Sequence, residues 1–172
     1  AQIDEAIEDI QAAARAGDIY AIFCAIYKRT EDDPPFNWLL VVDPEGRIIH
    51  RYHKLWADSR SNDAPGLFYI DGVPCAGIIC ADRWIRSVED LPAVAGAKIL
   101  FELSDNFADE WVPRLGAYWQ IPRARRNGVW IVAANTAPNP QAPGDLDLAN
   151  KHGHSVIVAP DGRIIAAAES VP

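Results

Sequence analysis

The sequence predicts an α/β protein in which a mixed sheet carries helices on its outer faces. Three observations lead there. Segments with apolar residues at helical spacing alternate with short apolar runs that read as strands. Two of those runs, Asp18 to Tyr27 and Val129 to Ala134, are apolar almost throughout, the pattern of strands covered on both faces. Several other runs are joined by tight turns, and hairpins within a strand–helix alternation call for a mixed sheet rather than an all-parallel one.

Taken in order, Ile3, Ala6, Ile7, Ile10, Ala13 and Ala14 recur at helical spacing, and Gly17 ends the helix. The strand Asp18 to Tyr27 follows, with Cys24 expected to pack inside it, and then a charged loop closed by Pro34-Pro35. Asn37 to Val42 and Arg47 to His53 form a hairpin across Asp43-Pro44-Glu45-Gly46. The phrase returns at Val158-Ala159-Pro160-Asp161-Gly162-Arg163-Ile164-Ile165, which suggests two hairpins at related places in a layered sheet. Trp56 to Gly66 reads as a surface loop. Leu67 to Ile70 and Val73 to Ile79 pair across an Asp71-Gly72 turn. Ser87 to Gly96 is a short helix and Lys98 to Leu103 a strand. Asp105 to Trp111 is loop. Pro113 to Asn127 is an arginine-bearing helix that Pro122 is expected to kink or split, and Asn127-Gly128 stops it. Asn135 to Gly153 is a long loop rich in Pro, Asn and Asp, and the strands His154 to Ala159 and Arg163 to Ala168 form the last hairpin.

The 172 residues suit one domain, and a hydrophobic share of 49% is enough for a core. A net charge of -8 argues against nucleic acid and anionic membrane surfaces as partners, both of which want a basic patch. No apolar run approaches the length of a bilayer span. Three cysteines without a disulfide-framework spacing suggest a reducing compartment, with the cytoplasm as the default. Methionine is absent even at position 1, so the expectation is a processed N-terminus or a chain that begins inside a longer protein.

Three loci carry chemistry. At Gly77-Ile78-Ile79-Cys80-Ala81-Asp82-Arg83-Trp84 an apolar strand gives way to a thiol, a carboxylate, a guanidinium and an indole. A thiol just past a strand end, ahead of a helical segment, is where a nucleophile is held rigidly and where following N–H groups face a developing oxyanion. A free cysteine is also often a small buried hydrophobe, and that alternative stands beside the first. Lys54 lies at another strand end, in Arg51-Tyr52-His53-Lys54-Leu55-Trp56. A lysine near a thiol favours the thiolate and donates to an oxyanion. Taken alone, a lysine is more commonly a solvated surface residue. The third locus is Phe101-Glu102-Leu103-Ser104-Asp105-Asn106. A carboxylate in an apolar strand needs a partner, so Glu102 either lines a site or serves an ion pair.

These segments carry a family resemblance. Tyr52-His53-Lys54-Leu55 resembles the tyrosine-x-lysine segment of the nitrilase superfamily, the carbon–nitrogen hydrolases, and Gly77 to Trp84 resembles its nucleophile segment. Arg123 to Asn135 is similar to its arginine-alanine, asparagine-glycine, alanine-asparagine unit, and Gly153 to Gly162 to its glycine-x-serine strand and hairpin. The four matches fall in the family's order, from about Asp18 to Ala168. The resemblance implies an α-β-β-α sandwich, no metal or other cofactor, a small nitrile, amide or N-carbamoyl substrate, and assembly into homo-oligomers. The arginine-bearing helix from Tyr118 to Arg126 is a guess for the subunit contact. Cys80 would be the nucleophile, and Lys54, with the N–H of Ala81, would hold the oxyanion. Asp82, Arg83, Trp84, Glu102, Asp105, Asn106 and His154 would line the site.

Two departures from the family pattern stand out. The family's general-base glutamate lies on a strand before the first helix, and no matching segment occurs in this sequence. The chain also stops just after the last hairpin, where the family continues. The expectation is therefore one partial domain over residues 1–172, incomplete at both ends, with Glu102, Asp82 or Asp105 as possible substitutes for the base. The stretch between Lys54 and Cys80 is also shorter than the family's, with Asp58 and Asp63 nearest to its additional glutamate. Competing readings are a binding or scaffold protein on the same fold, and an acyl-transferring relative. A histidine metal site is disfavoured, because His50 and His53 on one regular strand point to opposite faces.

Overall fold

The computed structural model describes residues 2–28, 30, 32, 35–56, 65–106, 119–138 and 151–168. Helix α1 (Gln2–Gly17) leads into a three-stranded antiparallel sheet of β1 (Ala21–Tyr27), β2 (Phe36–Val42) and β3 (Ile48–His53). The remaining strands form a six-stranded mixed sheet in chain order: β4 (Phe68–Ile70), β5 (Val73–Ile79), β6 (Ile99–Ser104), β7 (Trp130–Asn135), β8 (Val156–Val158) and β9 (Ile164–Ala167). A 3₁₀ turn, Cys80–Trp84, follows β5. Helices α2 (Arg86–Val94) and α3 (Gln120–Asn127) make the parallel crossovers that put β5, β6 and β7 side by side.

Apolar residues alternate along β5 and β6, so each strand feeds two cores. Ala76, Ile78 and Leu100 face the helix layer with Ala124 and Val129, while Cys75, Ile79, Ile99, Phe101 and Leu103 join Leu39, Val41 and Tyr52 between the sheets. Gly77 also faces inward. A Cβ there would meet Leu39 Cδ1 at 2.6 Å, so the missing side chain is what lets β2 approach β5.

The two echoing hairpins, β2–β3 and β8–β9, have one geometry in two sheets. Asp43 N donates to Arg47 O at 2.9 Å and Gly46 N to Asp43 O at 2.8 Å. Ala159 N to Arg163 O and Gly162 N to Ala159 O repeat both bonds at 2.9 and 2.8 Å. Gly46 and Gly162 have φ of 76° and 84°, where a side chain is strained. Each hairpin has a register shift in its first strand, at Val41/Val42 and at Ile157/Val158.

Two expectations are corrected. β1 is not covered on both faces: among the described residues it is an edge strand paired only to β2, and Cys24 and Ile26 are solvent-exposed rather than packed. β7 is buried on one face only, because Trp130 and Ala134 are exposed. Residues 113–118 of the helix that Pro122 is expected to kink or split lie outside the described residues, and Pro122 itself stands within α3. It is the third residue of that helix, in the first turn, where an N–H has no intrahelical acceptor to lose. Gly128, with φ of 63°, ends α3 as expected. Residues 57–64, 107–118 and 139–150 lie outside the described residues, and with them Asp58, Asp63, Tyr118 and most of the long loop before Gly153. Among the described residues no helix is long and apolar enough to cross a membrane.

Candidate active site

The register of the parallel strands brings their C-terminal ends level. Ile79 is opposite Leu103, and Ser104 opposite Asn135. The polar residues just beyond β5, β6 and β7 therefore share one edge of the sheet, where open α/β sheets place their ligands.

Cys80 sits at the turn off β5 with φ of 46°, a left-handed value that a non-glycine residue adopts only when its surroundings impose it. The residue is half-buried, and its thiol is 3.6 Å from Asn106 Oδ1. That oxygen also accepts from Arg83 Nη2 at 2.9 Å, and the N–H of Asn106 donates to Asn135 Oδ1 at 2.9 Å. Asn135 in turn donates through Nδ2 to Gly153 O at 2.9 Å. Three strand ends are thus joined behind the thiol. Ala81 and Asp82 are the next residues of the 3₁₀ turn, whose first N–H groups have no acceptor within the turn.

Asp82 is fully buried. Its carboxylate accepts from the Tyr52 hydroxyl at 2.8 Å and from the N–H groups of Leu55, Trp56 and Ile79 at 3.0, 2.9 and 3.1 Å. Lys54 lies in the middle of those β3 contacts, half-buried, with its own N–H donating to Asn37 O at 2.9 Å.

Glu102 points to the helix layer. Arg83 Nη1 lies 3.2 Å from one carboxylate oxygen and Arg123 Nη2 pairs with the other, while Ser104 and Gln120 donate at 3.3 and 3.4 Å. Of its two sequence readings, these contacts realise the ion-pair partner. Arg123 also pairs with buried Glu89 at 2.9 Å, and Arg126 with Glu89 and Asp90 at 3.1 and 2.9 Å. Burial pushes the Glu89 carboxyl up to about 7, with Arg123 and Arg126 pulling the other way. The Arg83 guanidinium is 5.6 Å from the ring centres of both Trp84 and Trp119, which meet edge to face at 4.5 Å.

Asp105 is exposed and bridges to buried Lys151 at 2.9 Å. His154 is not on a strand. It precedes β8 with φ of 56°, and its ring stacks on His152 at 5.7 Å, beside the Asn135–Gly153 contact. His50 contacts Phe68 between the sheets, and His53 stacks on Phe36 on the opposite face of β3. Among the described residues no group of three His, Cys, Asp or Glu could hold a metal ion.

Sequence reasoning missed two residues. Asn135 ties two of the strand ends together, and the signals for it were its place at a strand terminus and at the end of the alanine-asparagine unit. Cys24 on β1 is the other. It is open to solvent on one side and hemmed in by protein on the rest, and desolvation pushes its thiol up to about 12 against the pull of Lys54. Beside β1, a cleft of about 310 Å³ runs between Tyr20, Ile22, Ile70, Phe101, Glu102, Leu103, Val132 and Ala134.

The carbon-nitrogen hydrolase family model matches residues 2–171. The chain belongs to the carbon-nitrogen hydrolase family. As a member it is 31% identical, over 91% of its length, to the 2-oxoglutaramate amidase of Bacillus subtilis (strain 168), of which it covers 60%. It is 26% identical over 58% of its length to the formamidase of Bacillus thuringiensis (strain Al Hakam), of which it covers 33%. The fold is that of nitrilase-superfamily amidases. A mutant of the amidase from Nesterenkonia sp. AN1, with the acetamide moiety of fluoroacetamide added covalently at its active site cysteine, superposes with a TM-score of 0.84 at 18% identity. The match covers 99% of this carbon-nitrogen hydrolase chain and 65% of the Nesterenkonia chain. The chain thus spans about three-fifths of the length of the 2-oxoglutaramate amidase and of the Nesterenkonia amidase, and a third of the formamidase.

Proposed function

We propose that this chain carries the nucleophile half of an amidase that cleaves the C–N bond of small carboxamides through a thioester on Cys80. The observation that supports this most is the Cys80 turn: a half-buried thiol at φ of 46°, at the end of a parallel strand, tied through Asp82 to Leu55 and Trp56, the residues that follow Lys54 beyond β3. Cys80 sulfur attacks the amide carbon. Lys54 and the N–H of Ala81 stabilise the oxyanion. The C–N bond breaks, ammonia leaves with the proton taken from the thiol, and water then cleaves the thioester to the free acid. Each of the three substitute bases named above is held by a partner. Asp82 and Glu102 have their oxygens engaged, and Asp105 is bridged to Lys151. That engagement also favours a second reading, a binding protein on the same fold.

The test is ammonia release from 2-oxoglutaramate, formamide and simple aliphatic amides, beside Cys80→Ala, with mass spectrometry of the protein after exposure to fluoroacetamide. Release that Cys80→Ala abolishes, or a covalent adduct confined to Cys80, supports the amidase. A folded chain that neither releases ammonia nor forms that adduct supports the binding protein.

A further inference from the structure

We infer that Asp82 is a positioning residue: it holds the Lys54 backbone and the Cys80 turn in one fixed relation. The inference rests on reading Cys80 and Lys54 as nucleophile and oxyanion partner. The donors to Asp82 are placed for that task. Tyr52 lies two residues before Lys54, and its hydroxyl donates to Oδ2; Leu55 and Trp56, one and two residues after Lys54, donate their N–H groups to Oδ1. The fourth donor is the N–H of Ile79, the residue before Cys80, also on Oδ2. One carboxylate therefore grips the chain on both sides of the lysine and immediately before the thiol. With Lys54 N bound to Asn37 O, the lysine backbone is fixed from a third direction.

The donors are all neutral, and together they use both oxygens of a residue with no exposed surface. Asp82 is thus neither a proton carrier nor a substrate contact; it acts through the two residues it holds. Neutral asparagine cannot replace it, because a carboxamide has a single acceptor oxygen and four donors need two. Ordinary stabilisation of the fold does not require the donors to bracket Lys54.

The experiment compares the whole chain with Asp82→Asn under conditions where both are folded. It measures alkylation of each cysteine by iodoacetamide and amide hydrogen exchange at Leu55, Trp56 and Ile79. Wild-type Cys80 should react faster than Cys24 and Cys75; if it does not, the reading of Cys80 fails before the inference is reached. Given that preference, Asp82→Asn should slow Cys80 alkylation at least tenfold, leave Cys24 and Cys75 unchanged, and speed exchange at Leu55 and Trp56 or at Ile79. A purely structural role lowers the unfolding midpoint and leaves the Cys80 rate of the folded protein unchanged; that result overturns the inference. If Asp82→Asn does not fold, Tyr52→Phe removes one donor and should slow Cys80 about threefold, and an unchanged rate again overturns it.

Discussion

Asp82 and Glu102 are both almost fully buried, yet their partners give them different chemistry. Asp82 is met by neutral donors from the backbone and a tyrosine, Glu102 by two guanidinium groups. Replacing Glu102 with leucine leaves Arg83 and Arg123 buried without their shared anion. That should cost about 3–5 kcal/mol in denaturant unfolding, the range for breaking a buried pair from one side. The difference between the carboxylates was hidden in the sequence for a physical reason. Which face of β6 bears Glu102 depends on its register with β5 and β7, and the donors to Asp82 on β3 and just beyond it are 26 to 30 positions away. Cys80 and Lys54 were legible because each marks an abrupt change from apolar strand to polar turn. Cys24 shows the opposite case: its apolar neighbours in sequence conceal that β1 is an edge.

The paired hairpins share a docking partner as well as a turn. Arg15 of α1 lies over Gly46, and Arg125 of α3 lies over Gly162 and donates to Asp161 O at 2.7 Å. A Cβ at either glycine would strike that arginine and would also impose a left-handed backbone. Gly46→Ala and Gly162→Ala should therefore each lower stability by about 1–2 kcal/mol, read as a shift in urea midpoint at constant slope. The repeated phrase in the sequence foretold the matching turns; the arginines that seat on them come from distant helices and left no local trace. Between α2 and α3, Glu89 carries a pH dependence. Its carboxyl is raised from an ordinary 4.5 to about 7, so the folded state holds the proton more tightly than the unfolded chain. The stability this contributes is complete below pH 4.5 and is lost as pH rises through 7. Thermal unfolding of Glu89→Gln across that window should have a flatter profile than wild type.

Across the whole molecule, the two sheets meet where Leu39 fills the space left by Gly77. Gly77→Ala should destabilise by about 1–3 kcal/mol through overpacking, and Leu39→Val in the same chain should recover part of that loss, both measured by thermal denaturation. The hairpins and a mixed sheet with helices on its outer faces follow from periodicity and turn residues, while the α-β-β-α layer order is implied by the family resemblance. The exposure of β1 and of one face of β7 follows from neither, because an apolar run has the same composition whether or not a neighbour covers it. The span of the Asp82 contacts bears on the order in which the chain folds. The carboxylate finds its donors on β3 only after the two sheets have met, since those donors are non-local. A chain caught earlier holds its cysteines alike. In refolding with brief pulses of alkylating reagent, Cys80 should therefore acquire its distinct reactivity in the last resolved phase, together with burial of Leu39, so that the thiol reports the completion of the native state.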